Sequence, residues 1–206
     1  MSETNRRAHW EQTYASKGEA GVSWFEDLPQ ISLDIIAEAG ATKDSALIDI
    51  GGGAARLVDA LLERGFTSLA VLDLSAAALD LAKARLGKAG KSVDWIVADV
   101  TDWQPAHAYD VWHDRAALHF LTDPADQAAY FERLRLALRP GGAAIIATFA
   151  PDGPERCSGL PVVRYDPATL AAAAGPSFVL AGERRHAHLT PWGATQAFQF
   201  SLLRRV

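Results

Sequence analysis

The sequence predicts a doubly wound α/β domain: a mostly parallel seven-stranded sheet, with helices on both faces and an antiparallel C-terminal strand pair. Three observations predict it. Short apolar runs alternate with segments of helical period; the first run ends directly in three glycines; and a turn-rich segment separates the last two apolar runs. Alternating strand and helix units with short connections force parallel pairing, because each strand must return to the same edge through a crossover.

Ala46-Leu-Ile-Asp-Ile50 reads as the first strand, followed by Gly51-Gly52-Gly53 and a helix whose Leu57, Leu61 and Leu62 share a face before Gly65 stops it. Leu69–Asp73 is the second strand, and Ser75 is placed to cap an Ala/Leu-rich helix over Ala76–Leu86. Val93–Val97 and Tyr109–His113 are the third and fourth strands, with Asp99 and Asp114 expected just past their ends. Asp123-Pro124 opens a helix with Tyr130, Leu134 and Leu138 on one face, closing at Pro140-Gly141-Gly142, and Ala143–Phe149 is the fifth strand. An irregular stretch from Pro151 to Pro161 follows, then a helix over Pro167–Ala174. Phe178–Leu180 and Ala197–Leu203, joined around Pro191-Trp192-Gly193, form the antiparallel pair at the sheet edge. Residues 1–45 hold two helices, near Arg6–Ser16 and Pro29–Ala39, expected to cap a core of residues 46–206; the whole of 1–206 reads as one domain.

With 49% hydrophobic and 22% charged residues the 206-residue chain has ordinary globular composition. A formal charge of −5 and only short basic pairs, such as Arg184-Arg185 and Arg204-Arg205, leave no basic face for a polyanion, so nucleic acid is not expected as a partner. One cysteine, Cys157, excludes an internal disulfide and fits a reducing compartment. Met1–Arg7 is polar, without the apolar core of a signal peptide, and no uncharged run is long enough to span a bilayer, so a cytoplasmic location away from membranes is expected. His186-x-His188 has no accompanying Cys/His cluster of zinc spacing, and no metal is expected.

Glycines between a strand and a helix let backbone amides approach a ligand at a helix N-terminus. Arg56 stands where the third glycine of the dinucleotide fingerprint would be, and the lysine of a P-loop is missing, which argues against a pyrophosphate. Asp49-Ile50-Gly51-Gly52-Gly53-Ala54-Ala55 instead resembles the D-x-G-x-G-x-G motif of class I, Rossmann-like S-adenosylmethionine-dependent methyltransferases of the small bacterial single-domain group, with Ala55 at the last glycine. Leu72-Asp73-Leu74-Ser75, Ala98-Asp99-Val100 and Leu138-Arg139-Pro140-Gly141-Gly142 fall in the register of that family's later motifs.

The resemblance implies S-adenosyl-L-methionine as cofactor. Asp49, Gly51, Gly52 and Gly53 would hold its methionine end, Asp73 both ribose hydroxyls, Asp99 the adenine amino group, the Val100 amide a ring nitrogen, and Leu74 would pack on the adenine. Trp10, Tyr14 and Trp24 are similar to the family's opening segment, as a lid over the site or as packing, and Trp10 and Trp24 are counted with the cofactor residues. His113, Arg115 and His119 are expected to line the acceptor cleft; His119, and after it His113, is the candidate general base. Cys157 reads as a passive loop thiol, and Arg164 and Tyr165 are candidates for an anionic acceptor.

The implied reaction is methyl transfer to a small-molecule acceptor with release of S-adenosylhomocysteine. A protein lysine methyltransferase and a non-catalytic cofactor-binding protein are the alternatives. The D/N-P-P-Y motif is absent after the fourth strand, where His113-Asp114-Arg115-Ala116 stands. A monomer or a homodimer fits the sequence, an exposed terminal strand edge being able to pair with a second copy.

Overall fold

The computed structural model describes residues 3–206. In chain order it runs α1 (Glu3–Lys17), α2 (Gln30–Glu38), β1 (Leu47–Ile50), α3 (Leu57–Glu63), β2 (Leu69–Asp73), α4 (Ala76–Leu86), β3 (Val93–Val97), β4 (Tyr109–Arg115), α5 (Pro124–Ala137), β5 (Leu138–Phe149), β6 (Arg156–Cys157), β7 (Leu160–Pro161), α6 (Pro167–Ala174), β8 (Phe178–Leu189) and β9 (Thr195–Arg205), with short 3-10 turns at Ala89–Ser92 and Leu118–Phe120. Seven strands form one sheet in the order β3-β2-β1-β4-β5-β9-β8, while β6 and β7 make a separate small hairpin. The first five sheet strands pair in parallel, and β9 pairs antiparallel with both β5 and β8. Strand order reverses at β1, whose neighbours are β2 and β4. The carboxyl ends of β1 and β4 therefore flank a crevice, the place where open α/β sheets bind ligands.

Alternation along the strands sends side chains to two cores. Leu47, Val111 and Ile145 face the layer of α2 and α3, against Leu33, Ile36 and Leu61. Ile48, Trp112 and Ile146 face the opposite layer, against Tyr130 and Leu134 of α5 and Leu170 of α6. Each fully buried Leu, Ile or Val contributes about 1.5–3 kcal/mol, so the two cores hold the strand ends rigidly. Local caps agree: the Ser75 hydroxyl accepts from the Ala78 amide at 3.1 Å, and Asp166 and Thr169 form a capping box at α6.

Several sequence boundaries are corrected. The fourth strand continues through Asp114 to Arg115, so Asp114 lies in the strand rather than past its end. It stays there because its carboxylate is consumed locally, accepting from the Ala117 and Leu118 amides at 2.7 and 3.0 Å and from Tyr130 Oη at 2.6 Å. The fifth strand begins at Leu138, paired with Tyr109, and slips register before Ala143 pairs with Val111, so Arg139–Gly142 bulges out of the ladder instead of ending a helix. The expected irregular stretch contains the β6–β7 hairpin. The terminal strands are far longer than expected: polar residues 182–188 continue β8 because its outer face is solvated.

Candidate active site

Each glycine of the first turn is dictated by its surroundings. Gly51 and Gly53 have φ of 65° and 45°, in the left-handed region that favours glycine. Gly52 is required by space: a Cβ there would lie 2.5 Å from Asp49 Oδ2 and 2.7 Å from Val71 Cγ1. A Cβ at Gly53 would meet Asp73 Oδ2 at 2.9 Å. The turn is pressed between two acidic strand ends, and its bare backbone forms the floor of a cavity of about 1090 Å³, mouth included, lined by Asp49, Gly51, Gly52, Asp73, Leu74, Asp99 and Val100 among others.

Asp73 closes β2 and is buried. Its Oδ1 accepts from the Ser75 amide at 2.8 Å, and no cation is paired with it among the described residues. Burial pushes its carboxyl up to about 7, backbone amides at Ser75 and Leu74 hold it lower, and the nearby Asp49 and Glu11 charges raise it further. Such a carboxylate is ready to accept from ligand hydroxyls. Asp99 is also on the cavity wall but already engaged: Arg6 donates to Oδ2 at 2.7 Å, and Thr101 donates to Oδ1 from its amide at 3.0 Å and its hydroxyl at 2.8 Å. Despite burial, these donors hold the Asp99 carboxyl below its ordinary value. Arg6 also reaches Asp126, tying α1 to α5 at the Asp99 end of the cavity.

The Asp49 carboxylate is backed by a buried chain from β4 and α2. His113 Nδ1 lies 2.6 Å from Asp49 Oδ1, and His113 Nε2 lies 2.9 Å from Ser32 Oγ. A carboxylate can only accept, so Nδ1 carries the proton and a neutral ring accepts from Ser32. His113 thus lines the cavity with both nitrogens in use. Arg115, at the end of β4, donates to the Trp24 carbonyl at 2.7 Å and sits 3.3 Å from Glu26 Oε1, fastening the N-terminal loop to the cavity wall. His119 does not meet expectation. It is fully buried, packs edge-on against Phe120 and Phe149 at 4.4 and 4.9 Å, and neither ring nitrogen has a partner. Burial lowers it to about 3, and it is absent from the cavity lining, so it cannot take a proton from a bound acceptor.

Trp10, Tyr14 and Trp24 line the cavity together with Phe120 and Leu121. Trp10 meets Trp24 at 5.8 Å and Phe120 at 4.8 Å, both edge to face, so packing and lid are one arrangement. Cys157, brought in by the β6–β7 hairpin, is a buried cavity residue whose thiol burial pushes up to about 11. Arg164 is spent on the Gly153 carbonyl at 3.0 Å and Glu155 at 3.2 Å, and Tyr165 is buried in the opposite core; neither lines the cavity.

Sequence reasoning missed Ser32, Arg6, Glu11 and Glu26. Ser32 and Arg6 sit in amphipathic helices where a polar residue reads as surface. Glu11 accepts from the Ala76 and Ala77 amides at 2.7 and 3.2 Å, capping α4 from another helix. Glu26 lies between His186 and His188 of β8, its Oε1 3.7 and 3.1 Å from their ring nitrogens. No local spacing could announce contacts spanning this much chain.

The sheet order, the glycine turn and the acidic strand ends define a class I, Rossmann-like methyltransferase fold. Residues 47–142 match the family model described as a methyltransferase domain. The chain is 34% identical over 104 residues to the ubiquinone biosynthesis O-methyltransferase of Thiobacillus denitrificans, spanning 50% of this chain and 43% of that protein. To the trans-aconitate 2-methyltransferase of an Acidovorax species it is 31% identical over 128 residues, 62% of this chain and 46% of the other. It is 28% identical over 145 residues to the EEF1A lysine methyltransferase 2 of Danio rerio, 66% and 62% of the two chains. The chain thus spans under half the length of the first two of these relatives. Among solved structures, the Burkholderia thailandensis 1,6-didemethyltoxoflavin-N1-methyltransferase, with 1,6-didemethyltoxoflavin and S-adenosylhomocysteine bound, superposes with a TM-score of 0.75 at 20% identity, over 100% of this chain and 91% of that one. Among the described residues no helix is long and apolar enough to cross a membrane.

Proposed function

We propose that the protein transfers a methyl group from S-adenosyl-L-methionine to a small-molecule acceptor, releasing S-adenosylhomocysteine. The observation that carries this reading is the bare Gly51–Gly53 turn wedged between Asp49 and Asp73, with the buried Asp73 carboxylate lacking a cation and facing a cavity of cofactor size. The residues present fit the cofactor at its methionine and ribose ends. At the adenine end an amino group has to share Asp99 Oδ2 with Arg6 or displace it.

When bound, the cofactor supplies an electrophilic methyl group on a sulfonium sulfur. Asp73 accepts from the ribose hydroxyls through its two oxygens. Ser32 and His113 hold Asp49 in one rotamer beneath the turn, which makes His113 a positioning residue. Trp10, Trp24, Phe120 and Leu121 exclude water and offer flat apolar walls to the acceptor, while Arg115 keeps the Trp24 loop in place. With His119 in the core and His113 occupied at both nitrogens, orientation rather than proton removal by an imidazole carries the transfer. An acceptor with flat apolar faces and an available lone pair suits such a site. The relatives named as a ubiquinone biosynthesis O-methyltransferase and a trans-aconitate 2-methyltransferase support a small acceptor; the lysine methyltransferase relative keeps a protein acceptor as the second reading.

Calorimetric titration with S-adenosylhomocysteine, followed by a methyl-release screen over metabolite fractions and over extracted protein, tests both parts. Saturable binding with product appearing in the metabolite fractions is expected. Absence of binding would remove the cofactor assignment, and label confined to protein would replace the acceptor class.

A further inference from the structure

The strand β8 and the Trp24 loop build a second polar cluster that adjoins the cavity wall at Glu26. Glu26, His186 and His188 each present one ligating atom, and these atoms lie within 4.8 Å of one another. His186 and His188 are two apart on one strand and so share a face, and Glu26 reaches them from the N-terminal loop. His188 is 3% exposed, and its Nε2 lies 2.7 Å from the Ser23 carbonyl. A carbonyl can only accept, so Nε2 carries the proton, and the other nitrogen, Nδ1, is turned toward Glu26 Oε1 at 3.1 Å. Nδ1 and Glu26 Oε1 thus face each other at a spacing that calls for a shared cation between them, a proton or a metal ion. One ring nitrogen fixed by a backbone carbonyl, with the other turned toward an anionic ligand, is the usual outer support of a metal-bound histidine.

Two further acceptors in the same place lack donors. Glu26 Oε2 is buried and unpartnered, and so is Oε1 of Gln196, the residue opposite His188 across the β8–β9 ladder. Arg115 Nη1 stands 3.3 Å from Glu26 Oε1, a loose ion pair that leaves Oε2 unused.

We propose that Glu26, His186 and His188 bind a divalent first-row transition metal of the zinc type. Two imidazole nitrogens and one carboxylate make a borderline-soft donor set that suits zinc, cobalt or nickel and disfavours magnesium and calcium. Tetrahedral binding at the usual bond lengths needs donor atoms about 3.3 Å apart, within reach of small rotamer changes from the present spacing. The metal bolts the segment Ser23–Glu26 to the edge strand. Because Arg115 and the Trp24 carbonyl are joined in that same segment, and Glu26 itself lines the cavity, it stiffens one wall of the cavity.

The test uses the untagged, chelator-treated full chain, titrated with zinc against a chromophoric chelator and, separately, with cobalt while the visible spectrum is recorded. One zinc per chain at micromolar affinity or tighter is expected, with cobalt bands of a four- or five-coordinate nitrogen and oxygen site. Glu26→Gln and His186→Gln, each checked for an unchanged far-ultraviolet spectrum, should weaken zinc at least about tenfold. Zinc should raise the melting temperature of the parent chain and not of the variants. A stoichiometry below half, or affinity unchanged in both variants, overturns the proposal and leaves an imidazolium–carboxylate pair at His188 and Glu26. None of these readouts depends on methyl transfer, so failure here is separable from failure of the proposed activity.

Discussion

Binding of S-adenosylhomocysteine should expel a proton from Asp73. In the ligand-free chain the carboxyl is pushed up to about 7, well above the ordinary carboxylate range, because burial strips it of water. Two ribose hydroxyl donors remove the cause, so the bound carboxyl returns toward its ordinary range and the proton is released. Near pH 6 about nine-tenths of a proton should leave per ligand bound, and near pH 8 about one-tenth, as titration about a pKa near 7 requires. Calorimetry in buffers of different ionisation enthalpy counts the protons directly. Affinity should strengthen with rising pH up to about 7 and level off above it. Asp73→Asn abolishes the release, and near pH 8 it should bind about 10- to 100-fold more weakly, the loss of one charge-assisted hydrogen bond of about 1.5–3 kcal/mol. The same shift has a stability signature of opposite use. A carboxyl raised in the folded state contributes stability that is complete below about pH 4 and lost as pH rises through 7, so the ligand-free chain weakens over that window while Asp73→Asn lacks this share. Equal heats in all buffers near pH 6, or proton release retained by Asp73→Asn, would refute the reasoning.

Other consequences are more local. His119→Met removes two buried, unpartnered ring nitrogens and should raise stability by about 1 kcal/mol in urea unfolding, with methyl transfer unchanged; a loss of stability would show that the imidazole has an unseen partner. Gly52→Ala drives a methyl group toward Asp49 Oδ2 and Val71, so the turn must open, and S-adenosylhomocysteine affinity should fall at least about tenfold while circular dichroism is retained. Tyr130→Phe takes the 2.6 Å hydroxyl donor from Asp114 and the 2.9 Å acceptor from Trp112 Nε1, at a cost of about 1–3 kcal/mol in the unfolding midpoint. The Cys157 thiol, buried and pushed up to about 11, should resist alkylation near neutral pH until denaturant is added; rapid native labelling would contradict its placement.

The sheet was legible because its inner parallel strands, such as Leu47–Ile50 and Leu69–Asp73, are covered on both faces and so show as apolar runs ending in glycine or an acid. The helix Ala76–Leu86, capped by Ser75, and the strand Val93–Val97 needed no adjustment. The long edge strand was hidden by its solvated polar face, and the bulge at Arg139–Gly142 by a Pro-Gly-Gly signal that normally terminates structure. In the site, local motifs placed Asp49, Asp73, Asp99 and the glycine turn on the cavity. Orientation was illegible where a residue's neighbours decide it. His113 and His119 are six apart in sequence, yet one lines the cavity and the other lies in the core. The Arg6 contact with Asp99 and the Glu26 contact with His188 join distant segments, and nothing local encodes them.

Helix α1 supplies Arg6, Trp10 and Tyr14 to the cavity and is fastened at separate points, by Arg6 to Asp99 and Asp126 and by Glu11 to the first amides of α4. A wall held in this way doubles as a clock. For the proposed activity, a product that leaves past α1 leaves only as fast as these contacts break, and the turnover rate then belongs to the departure of product as much as to the methyl transfer. Changes at Arg6 or Glu11, far from the migrating methyl group, would then alter how often the protein acts while leaving each act unchanged.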